Sequence, residues 1–327
     1  MTGPCPPVDG PLLERLEARV GHVHLRQRLG IEQDYEARVF GLGRNFFHIE
    51  NWYSIHGLMR GLLRCTGLYG RGRRNARRIR LVRNPVVLPR LPRGFEGFRI
   101  LHLSDLHLDM ADDFAHAVVT AVRDLEYDLC VMTGDFRART YGPIDAAMAA
   151  LAEVRTFLSD PVYAVLGNHD SIRMVPAMED MGIRLLLNES VRLQRRGDRL
   201  YLAGVDDPHY HRVDNLEGAA RDIPEQACAI LLSHTPEIHR NAAYAGFDLM
   251  LCGHTHGGQI CLPGGIPLSC NVRAPRALCT GNWRFRGLQG YTSAGTGSCV
   301  VDVRFNCPPE VALHELVSAG GGPGGRS

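Results

Sequence analysis

Short apolar runs that end abruptly in polar clusters are the main pattern in the middle of the chain. Five of them are FRILHL before SDLHLD, DLCVMT before GDFRAR, VYAVL before GNHD, CAILL before SHTPE, and DLMLC before GHTHGGQ. Apolar runs of this length are typical of buried strands. In α/β sheets, ligands bind beyond the carboxyl ends of the strands. The pattern therefore predicts that the five polar clusters converge at one edge of the fold.

Helical spacing of apolar residues separates the first three of these strands, in residues 114–122 and 144–158. Strand, helix and strand in succession predict an α/β sheet. After residue 183, RLLLN, SVRLQRR and RLYLAGV predict consecutive strands, and GYTSAG, CVVDVRF and EVALHEL predict a later group. These strands indicate a second sheet packed on the first.

The chain divides into three zones by composition. Residues 1–93 are basic and predicted to be partly helical, residues 94–316 form the α/β unit, and residues 317–327 are a Gly-rich tail. We expect the tail to be disordered, because it cannot bury enough apolar surface to become ordered.

The composition of the chain is typical of a folded globular protein. Of its 327 residues, 45% are hydrophobic and 22% are charged, which excludes disorder of the whole chain. A run of 18 uncharged apolar residues, a secretory signal and a CxxC pair are all absent from the sequence. We therefore expect a cytoplasmic protein with reduced thiols.

Positive charge is concentrated near the N-terminus. The first 100 residues contain 18 Arg and 8 acidic residues, whereas the remainder contains 19 and 27. Residues 49–66 fit an amphipathic helix, and a polybasic run follows to residue 80. Residues 49–80 could bind an anionic membrane from its inner face, pack on the α/β unit, or bind nucleic acid. Binding to nucleic acid is the least favoured hypothesis, because no aromatic residues are interleaved with the arginines.

The polar clusters contain side chains suited to divalent metals. Carboxylate, imidazole and amide oxygen suit Mn, Fe or Zn, and one carboxylate can bridge two ions. The candidates from the five clusters are Asp105, His107, Asp135, Asn168, His169, Asp170, His234, His254 and His256.

The order of these motifs resembles that of the calcineurin-like metallophosphoesterase superfamily. The motifs are Asp-x-His at 105–107, Gly-Asp at 134–135, Gly-Asn-His-Asp at 167–170, His at 234 and Gly-His-x-His at 253–256. The stretches LPRLPRGFEGFRILHLSDLHL and RFNCPPEVALHEL also resemble its cell-envelope branch, the UDP-2,3-diacylglucosamine pyrophosphatase-like phosphohydrolases. The resemblance implies a two-sheet α/β/β/α sandwich.

The resemblance also implies a role for each residue. Asp105, His107 and His256 would hold the first metal. Asn168, His234 and His254 would hold the second. Asp135 would bridge the two ions together with the attacking hydroxide. The two divalent ions could be Mn, Zn, Fe or Mg, of which Mn is favoured.

Two further residues would assist, and one position departs from the family. His169 would face the leaving oxygen, and Asp170 would orient His169. Many family members have a second acid in Gly-Asp-x-x-Asp, whereas this chain has Ala138 there. Arg137 and Arg139 lie beside the expected site, where they would bind a substrate phosphate or form surface ion pairs.

These expectations point to a metal-dependent phosphoric ester hydrolase. It would cleave a phosphodiester or pyrophosphate bond, and a lipid-linked substrate such as UDP-2,3-diacylglucosamine is one candidate. The alternatives are a general soluble phosphodiesterase or phosphomonoesterase, and a non-catalytic metal-binding membrane scaffold. His102 is expected to be a packing residue, whereas His209 and His211 belong to a polar loop or line the substrate cleft.

Overall fold

A computed structural model describes residues 8–40 and 53–319. Within these residues the helices are α1 (Gly10–Val20), α2 (His22–Phe40), α3 (Tyr53–Cys65), α4 (Leu68–Ala76), α5 (Phe114–Val122), α6 (Asp145–Arg155), α7 (Val175–Asp180), α8 (Leu216–Ala220) and α9 (His239–Tyr244). The strands are β1 (Arg80–Leu88), β2 (Phe98–Leu103), β3 (Leu129–Met132), β4 (Val162–Ala164), β5 (Ile183–Leu185), β6 (Glu189–Arg195), β7 (Asp198–Gly204), β8 (Ala229–Leu232), β9 (Leu249–Cys252), β10 (Cys261–Leu262), β11 (Ile266–Pro267), β12 (Gly281–Phe285), β13 (Leu288–Thr292) and β14 (Glu310–Ser318).

Two six-stranded sheets form the centre of the fold. The first has the order β1-β14-β2-β3-β4-β5, and the second has the order β12-β13-β9-β8-β7-β6. Strands β2 to β5 pair in parallel, as do β7, β8 and β9. The parallel strands of each sheet therefore end at one common edge, where the polar clusters follow them.

Alternation along the strands builds three apolar layers. In β2, Ile100 faces the core between the sheets, whereas Leu101 faces the helices that cover the first sheet. In β9, Leu251 faces the same central core, and Met250 faces the layer that covers the second sheet. This arrangement is an α/β/β/α sandwich, which confirms the predicted fold class.

Part of the predicted N-terminal extension belongs to the sandwich. Strand β1 pairs in parallel with β14 along nine residues, so the first sheet begins before the predicted boundary at residue 94. Helix α1 packs on α7, where Arg15 and Arg19 form ion pairs of 2.6 Å with Asp180 and Glu179. The sequence pattern missed these contacts, because they join residues more than 150 positions apart.

The predicted amphipathic helix 49–66 corresponds to α3, and residues 49–52 lie outside the described residues. Helix α3 packs on α4, which in turn packs on the loop before β14. There the Gly72 carbonyl accepts from the Arg304 amide at 3.0 Å, and Arg77 forms an ion pair with Asp302. No helix in the described part of the chain is both long and apolar enough to cross a bilayer.

Two element predictions were wrong at the C-terminal end. The segment CVVDVRF is irregular, because Val300 has a left-handed φ of 69° and Phe305 forms only an isolated bridge with Ile260. The predicted tail also starts too early, since Val317 and Ser318 pair with Val87 and Leu88 of β1.

Candidate metal centre and active site

The five polar clusters meet at the carboxyl ends of β2, β3, β4, β8 and β9. Asp135 lies at the centre, with its Oδ2 at 3.3 Å from His234 Nε2 and 3.7 Å from His107 Nε2. Asp105 Oδ1 is 3.4 Å from His256 Nε2. All seven predicted ligands therefore lie in one buried cluster.

The ligands form two groups that share one carboxylate. In the first group, the Nε2 atoms of His107 and His256 are 3.1 Å apart. In the second, His234 Nε2 is 2.9 Å from Asn168 Oδ1 and 3.2 Å from His254 Nδ1. Asp135 belongs to both groups, because its oxygen lies within 4.8 Å of ligand atoms on either side. Nitrogen and oxygen donors in this arrangement fit two divalent cations.

Main-chain carbonyls fix the orientation of three ligating rings. His107 Nδ1 donates to the Arg137 carbonyl at 2.8 Å, and His234 Nδ1 donates to the Thr133 carbonyl at 2.7 Å. His254 is reversed, since its Nε2 donates to the Asn271 carbonyl at 2.6 Å. In each ring, the nitrogen opposite the carbonyl keeps its lone pair, which is the form that binds metal.

The backbone of most ligands adopts the left-handed region. The φ angles are 53° at Asp105, 43° at His107, 58° at Asp135, 72° at His254 and 50° at His256. Few non-glycine residues adopt this region, and clusters of them mark functional sites where the surrounding structure holds them.

Burial and mutual charge determine the ionisation of the cluster. Burial opposes ionisation of Asp135, but the neighbouring His234 and His169 outweigh it, so the pKa of this carboxyl lies well below its usual range. Burial lowers the pKa of His107, His254 and His256. The central carboxylate is therefore charged, and the rings of His107, His254 and His256 are neutral, as metal ligands require. His234 differs, because burial is outweighed by the charge of Asp135, which raises the pKa of His234 to about 10, so this ring must lose a proton when a metal binds.

Asp170 supports the backbone of Asp135 and does not contact the ring of His169. Its carboxylate accepts from the amides of Gly167, Asp135 and Phe136 at 2.8, 2.7 and 2.9 Å. Burial, followed by repulsion from Asp135, raises its pKa to about 6. The prediction that Asp170 orients His169 is thus corrected. Asp170 joins the backbone of the Gly-Asp motif to that of the Gly-Asn-His-Asp motif by hydrogen bonds.

His169 lies beside the cluster without being one of its ligands. Its Nε2 is 3.9 Å from Asp135 Oδ2, and its Nδ1 is 3.2 Å from Thr140 Oγ1. The ring stands edge-on to His107, with centroids 5.1 Å apart, and 17% of the side chain is exposed. Its position at the rim allows contact with a group bound over the metals.

Arg137 has a structural role that the sequence did not indicate. It is buried, and its guanidinium donates to the carbonyls of His169, Thr140 and Gly142. These bonds hold the loop after β3. Because they occupy the guanidinium of Arg137, they do not support its predicted contact with a substrate phosphate. Arg139 is exposed, and its role in substrate binding stays a prediction.

Sequence reasoning missed Arg304 and Cys299 beside the site, and it left open whether His209 lines the cleft. Arg304 is fully buried, its guanidinium lies 3.2 Å from His256 Nδ1, and it donates to the Ala294 carbonyl at 2.7 Å. Cys299 Sγ is 3.8 Å from His169 Nε2, and the His209 ring lies on that of His254 with centroids 4.1 Å apart. Arg304 and Cys299 belong to an irregular segment, so no strand or motif pattern could identify them.

Helix α2 also reaches the site. Arg28 is fully buried and donates to the Asp170 carbonyl at 2.8 Å. Glu32 accepts from Ser171 Oγ at 2.6 Å and from the Ile172 amide at 2.8 Å. The N-terminal region therefore supports the loop that contains Asn168 and His169.

Comparisons with known proteins agree with this geometry. The profile of the family described as calcineurin-like phosphoesterase matches residues 98–258. The uncharacterized metallophosphoesterase YkoQ of Bacillus subtilis is 30% identical over 227 residues, which cover 66% of this chain and 83% of that protein. Phosphodiesterase YaeI of Escherichia coli is 28% identical over 240 residues, which cover 67% of this chain and 82% of the relative. This chain therefore belongs to the calcineurin-like phosphoesterase family and is a metal-dependent hydrolase of phosphoric esters.

Proposed function

We propose that this protein is a two-metal phosphodiesterase in which Asp135 is shared between the metals. The observation that supports this best is the position of the Asp135 carboxylate, at 3.3 Å from His234 and 3.7 Å from His107. Two divalent ions bound there would lower the pKa of water and neutralise the charge that develops on the phosphoryl group. The chain supplies an ionised carboxylate and oriented imidazoles for them, and Mn is the favoured ion.

His169 gives the site a group that metal binding alone does not need. Its ring is at the rim, next to the ligands, and Thr140 holds its Nδ1. From this position it can hydrogen-bond or protonate the leaving oxygen as negative charge develops there. This feature favours an enzyme over a non-catalytic scaffold.

The test is hydrolysis of bis(p-nitrophenyl) phosphate and p-nitrophenyl phosphate after chelation and re-addition of Mn, Zn, Fe or Mg. We expect chelation to abolish turnover, re-addition to restore it, and the diester to be preferred. His169→Gln should lower kcat by roughly a hundredfold, in the range of general acid catalysis, with metal content near that of the unmodified protein.

The matched control is His116→Gln, an exposed histidine on α5. It should leave kcat unchanged. Full turnover in the His169 variant would remove that residue from the mechanism, and metal-independent turnover would remove the two-metal proposal.

The substrate class that we propose within this activity is a lipid-linked phosphoester or pyrophosphate. The cell-envelope resemblance of residues 88–108 and 304–316 supports it, as does the amphipathic helix α3 with its exposed Leu62. UDP-2,3-diacylglucosamine presented in detergent is the reference substrate. The alternative is a soluble diester, which the E. coli relative's name as a phosphodiesterase favours. A higher kcat/KM for a soluble nucleotide diester than for the lipid would decide for the alternative.

We also propose that α3 and α4 bind an anionic membrane surface. Leu62 is 64% exposed and Leu68 is 41% exposed. Arg73 and Arg77 form ion pairs with the α/β unit. The polybasic run also contains four other arginines that are exposed: Arg71, Arg74, Arg78 and Arg80. An amphipathic helix beside exposed arginines fits an interface with anionic lipids.

Sedimentation with phosphatidylglycerol vesicles tests this surface. Deleting residues 1–80 would remove α2 from the active site, so substitution of Arg71, Arg74 and Arg78 by Gln is the sharper change. We expect it to abolish sedimentation, while replacing the exposed Arg192, Arg196 and Arg199 of the β6–β7 region should not. Equal loss in both triple variants, or equal binding to phosphatidylcholine vesicles, would refute the proposal.

A further inference from the structure

A continuous series of side-chain hydrogen bonds crosses the core between the two sheets. It begins at the exposed Asn282 of β12, whose amide pairs reciprocally with that of Asn84 of β1 at 2.7 and 3.0 Å. Asn84 Nδ2 is 2.9 Å from His314 Nδ1, and His314 Nε2 is 3.3 Å from His102 Nδ1. These four residues form the outer half of the series.

The inner half ends on a predicted ligand of the first metal. His102 Nε2 is 2.9 Å from Thr133 Oγ1, and Thr133 Oγ1 is 2.7 Å from Ser104 Oγ. Ser104 Oγ is 2.7 Å from Asp105 Oδ2. The series therefore links the far edge of the sandwich to the metal centre.

The direction of every bond follows from the carboxylate end. As a metal ligand, Asp105 must be ionised and can only accept, so Ser104 donates its one hydroxyl proton to it. Ser104 must then accept from Thr133, and Thr133 must accept from His102 Nε2. His102 Nδ1, with the ring neutral, accepts from His314 Nε2, and His314 Nδ1 must itself accept.

The hydrogen bonds of Asn84, at the other end of the series, give the same donor and acceptor roles. Asn84 presents Nδ2 to His314 Nδ1, and an amide nitrogen can only donate. Its carbonyl oxygen accepts from Asn282 at 2.7 Å. From Asn84 inwards, every link of the series therefore has its donor pointing towards Asp105, whereas Asn84 and Asn282 exchange hydrogen bonds in both directions.

The series is isolated from solvent along most of its length. Its buried members, none more than 4% exposed, are Asn84, His314, His102, Thr133, Ser104 and Asp105. Burial lowers the pKa of His314 to about 3 and that of His102 well below its ordinary value, so both rings are neutral. Such a series in an otherwise apolar core is costly unless every member is paired, and here every link is present.

We propose that this series, the Asp105 relay (Asn282, Asn84, His314, His102, Thr133 and Ser104), positions Asp105 and strengthens metal binding at the first position. Aligned hydrogen bonds polarise one another, so donors that all point at one carboxylate stabilise its charge and fix its plane. His102 and His314 are positioning residues that act through Ser104. The proposal rests on the proposed two-metal function.

Thr133→Val is the main test, because valine keeps the shape of threonine and removes only the hydroxyl. The Thr133 carbonyl that orients His234 is retained. The full chain is titrated with Mn²⁺ by calorimetry and by electron paramagnetic resonance. We expect Mn²⁺ binding to weaken about threefold to tenfold, less than loss of a group that contacts a ligand directly. Turnover should recover at high Mn²⁺, which a purely structural defect would not allow.

Two controls separate the relay from loss of packing. Thr292→Val removes another fully buried, hydrogen-bonded hydroxyl outside the relay, and it should leave Mn²⁺ affinity unchanged. His314→Gln retains a donor towards His102, whereas His314→Phe retains the volume without the donor. The relay requires near-normal affinity in the Gln variant and weak binding in the Phe variant.

The double variant Thr133→Val with His314→Phe gives the sharpest outcome. If both residues act through one series, the double variant binds Mn²⁺ no more weakly than the weaker single variant. Multiplied losses, or an unchanged Mn²⁺ affinity in Thr133→Val, would overturn the relay. If the unmodified protein did not bind two Mn²⁺ ions, the proposed function itself would fail, which is a separate result.

Discussion

The two sheets supply different candidate ligands to the metal centre. The strands β2, β3 and β4 of the first sheet place the oxygen ligands Asp105, Asp135 and Asn168, together with His107. The predicted ligands that follow β8 and β9 of the second sheet are all imidazoles: His234, His254 and His256. The first half therefore contains the carboxylates, and the second half would complete the coordination with imidazole nitrogens.

The halves also differ in what holds them. The first half is supported by side chains close to regular elements, namely Glu32 of α2 and Asp170 in the loop after β4. The second half depends on main-chain carbonyls and on Arg304, which belongs to an irregular segment. This difference indicates that the first half is preformed by the fold, whereas the second depends on a long loop.

Asp135 belongs to both halves, so its loss should have the largest effect. Asp135→Asn should lower kcat/KM for the diester by roughly a thousandfold or more, like the removal of a main catalytic group. Metal content should also fall below two ions per chain. The control is Asp124→Asn, whose side chain is 85% exposed. Retention of both ions with normal kcat/KM would contradict the shared-ligand arrangement.

Arg304 tests the second half alone. Arg304→Met removes donors to the carbonyls of His256, Ala294 and Gly297. We expect about a tenfold loss of Mn²⁺ affinity, as is typical for partners of ligating residues. The exposed Arg221 provides the matched Arg→Met control, and thermal unfolding measures the cost to the fold. Unchanged Mn²⁺ binding would show that the loop holds His256 without the guanidinium.

Glu32 tests the support of the first half by α2. Glu32→Gln keeps the shape but replaces one accepting oxygen, which weakens its bonds to Ser171 and Ile172. We expect kcat to fall about threefold to tenfold, corresponding to one hydrogen bond, with KM unchanged. Asp34→Asn, an exposed change of charge on the same helix, should have no effect. If Glu32→Gln and Asp34→Asn had the same kcat and KM, α2 would not support the active site.

The interface between the sheets should control acid stability with little effect on turnover near neutral pH. Burial depresses the pKa of His102 and His314, so between pH 6.5 and about 3 the unfolded chain binds protons that the folded chain does not. The free energy of unfolding should therefore decrease as pH falls below 6.5, by up to about 1.4 kcal/mol per pH unit for each histidine. Urea unfolding of chelated protein measures this. His314→Gln should have a shallower slope, and an equal slope would be inconsistent with the burial of a neutral ring.

The sequence predicted the sandwich and the proximity of the seven candidate ligands, because both depend on short-range patterns. Each ligand directly follows an apolar run, as Asp105 follows FRILHL, and the carboxyl ends of parallel strands meet in space. The family resemblance then assigned each residue a place. The structure brings these residues together as expected.

The supporting residues could not be predicted, because they depend on contacts between distant parts of the chain. Glu32 and Ser171 are separated by 139 positions, and Arg304 and His256 by 48. CVVDVRF has the apolar pattern of a strand, but the left-handed Val300 and the buried Arg304 keep it irregular. Asp170 and Arg137 were placed near the site, but local sequence does not show which backbone groups they bind.

The left-handed backbone of five ligands has a consequence for how this protein can change over time. Glycine adopts that region without strain, whereas the side chains of Asp105, His107 and Asp135 are held there at a backbone cost of about 1 kcal/mol each. The fold itself does not protect the reaction, and only selection for hydrolysis keeps these side chains in place.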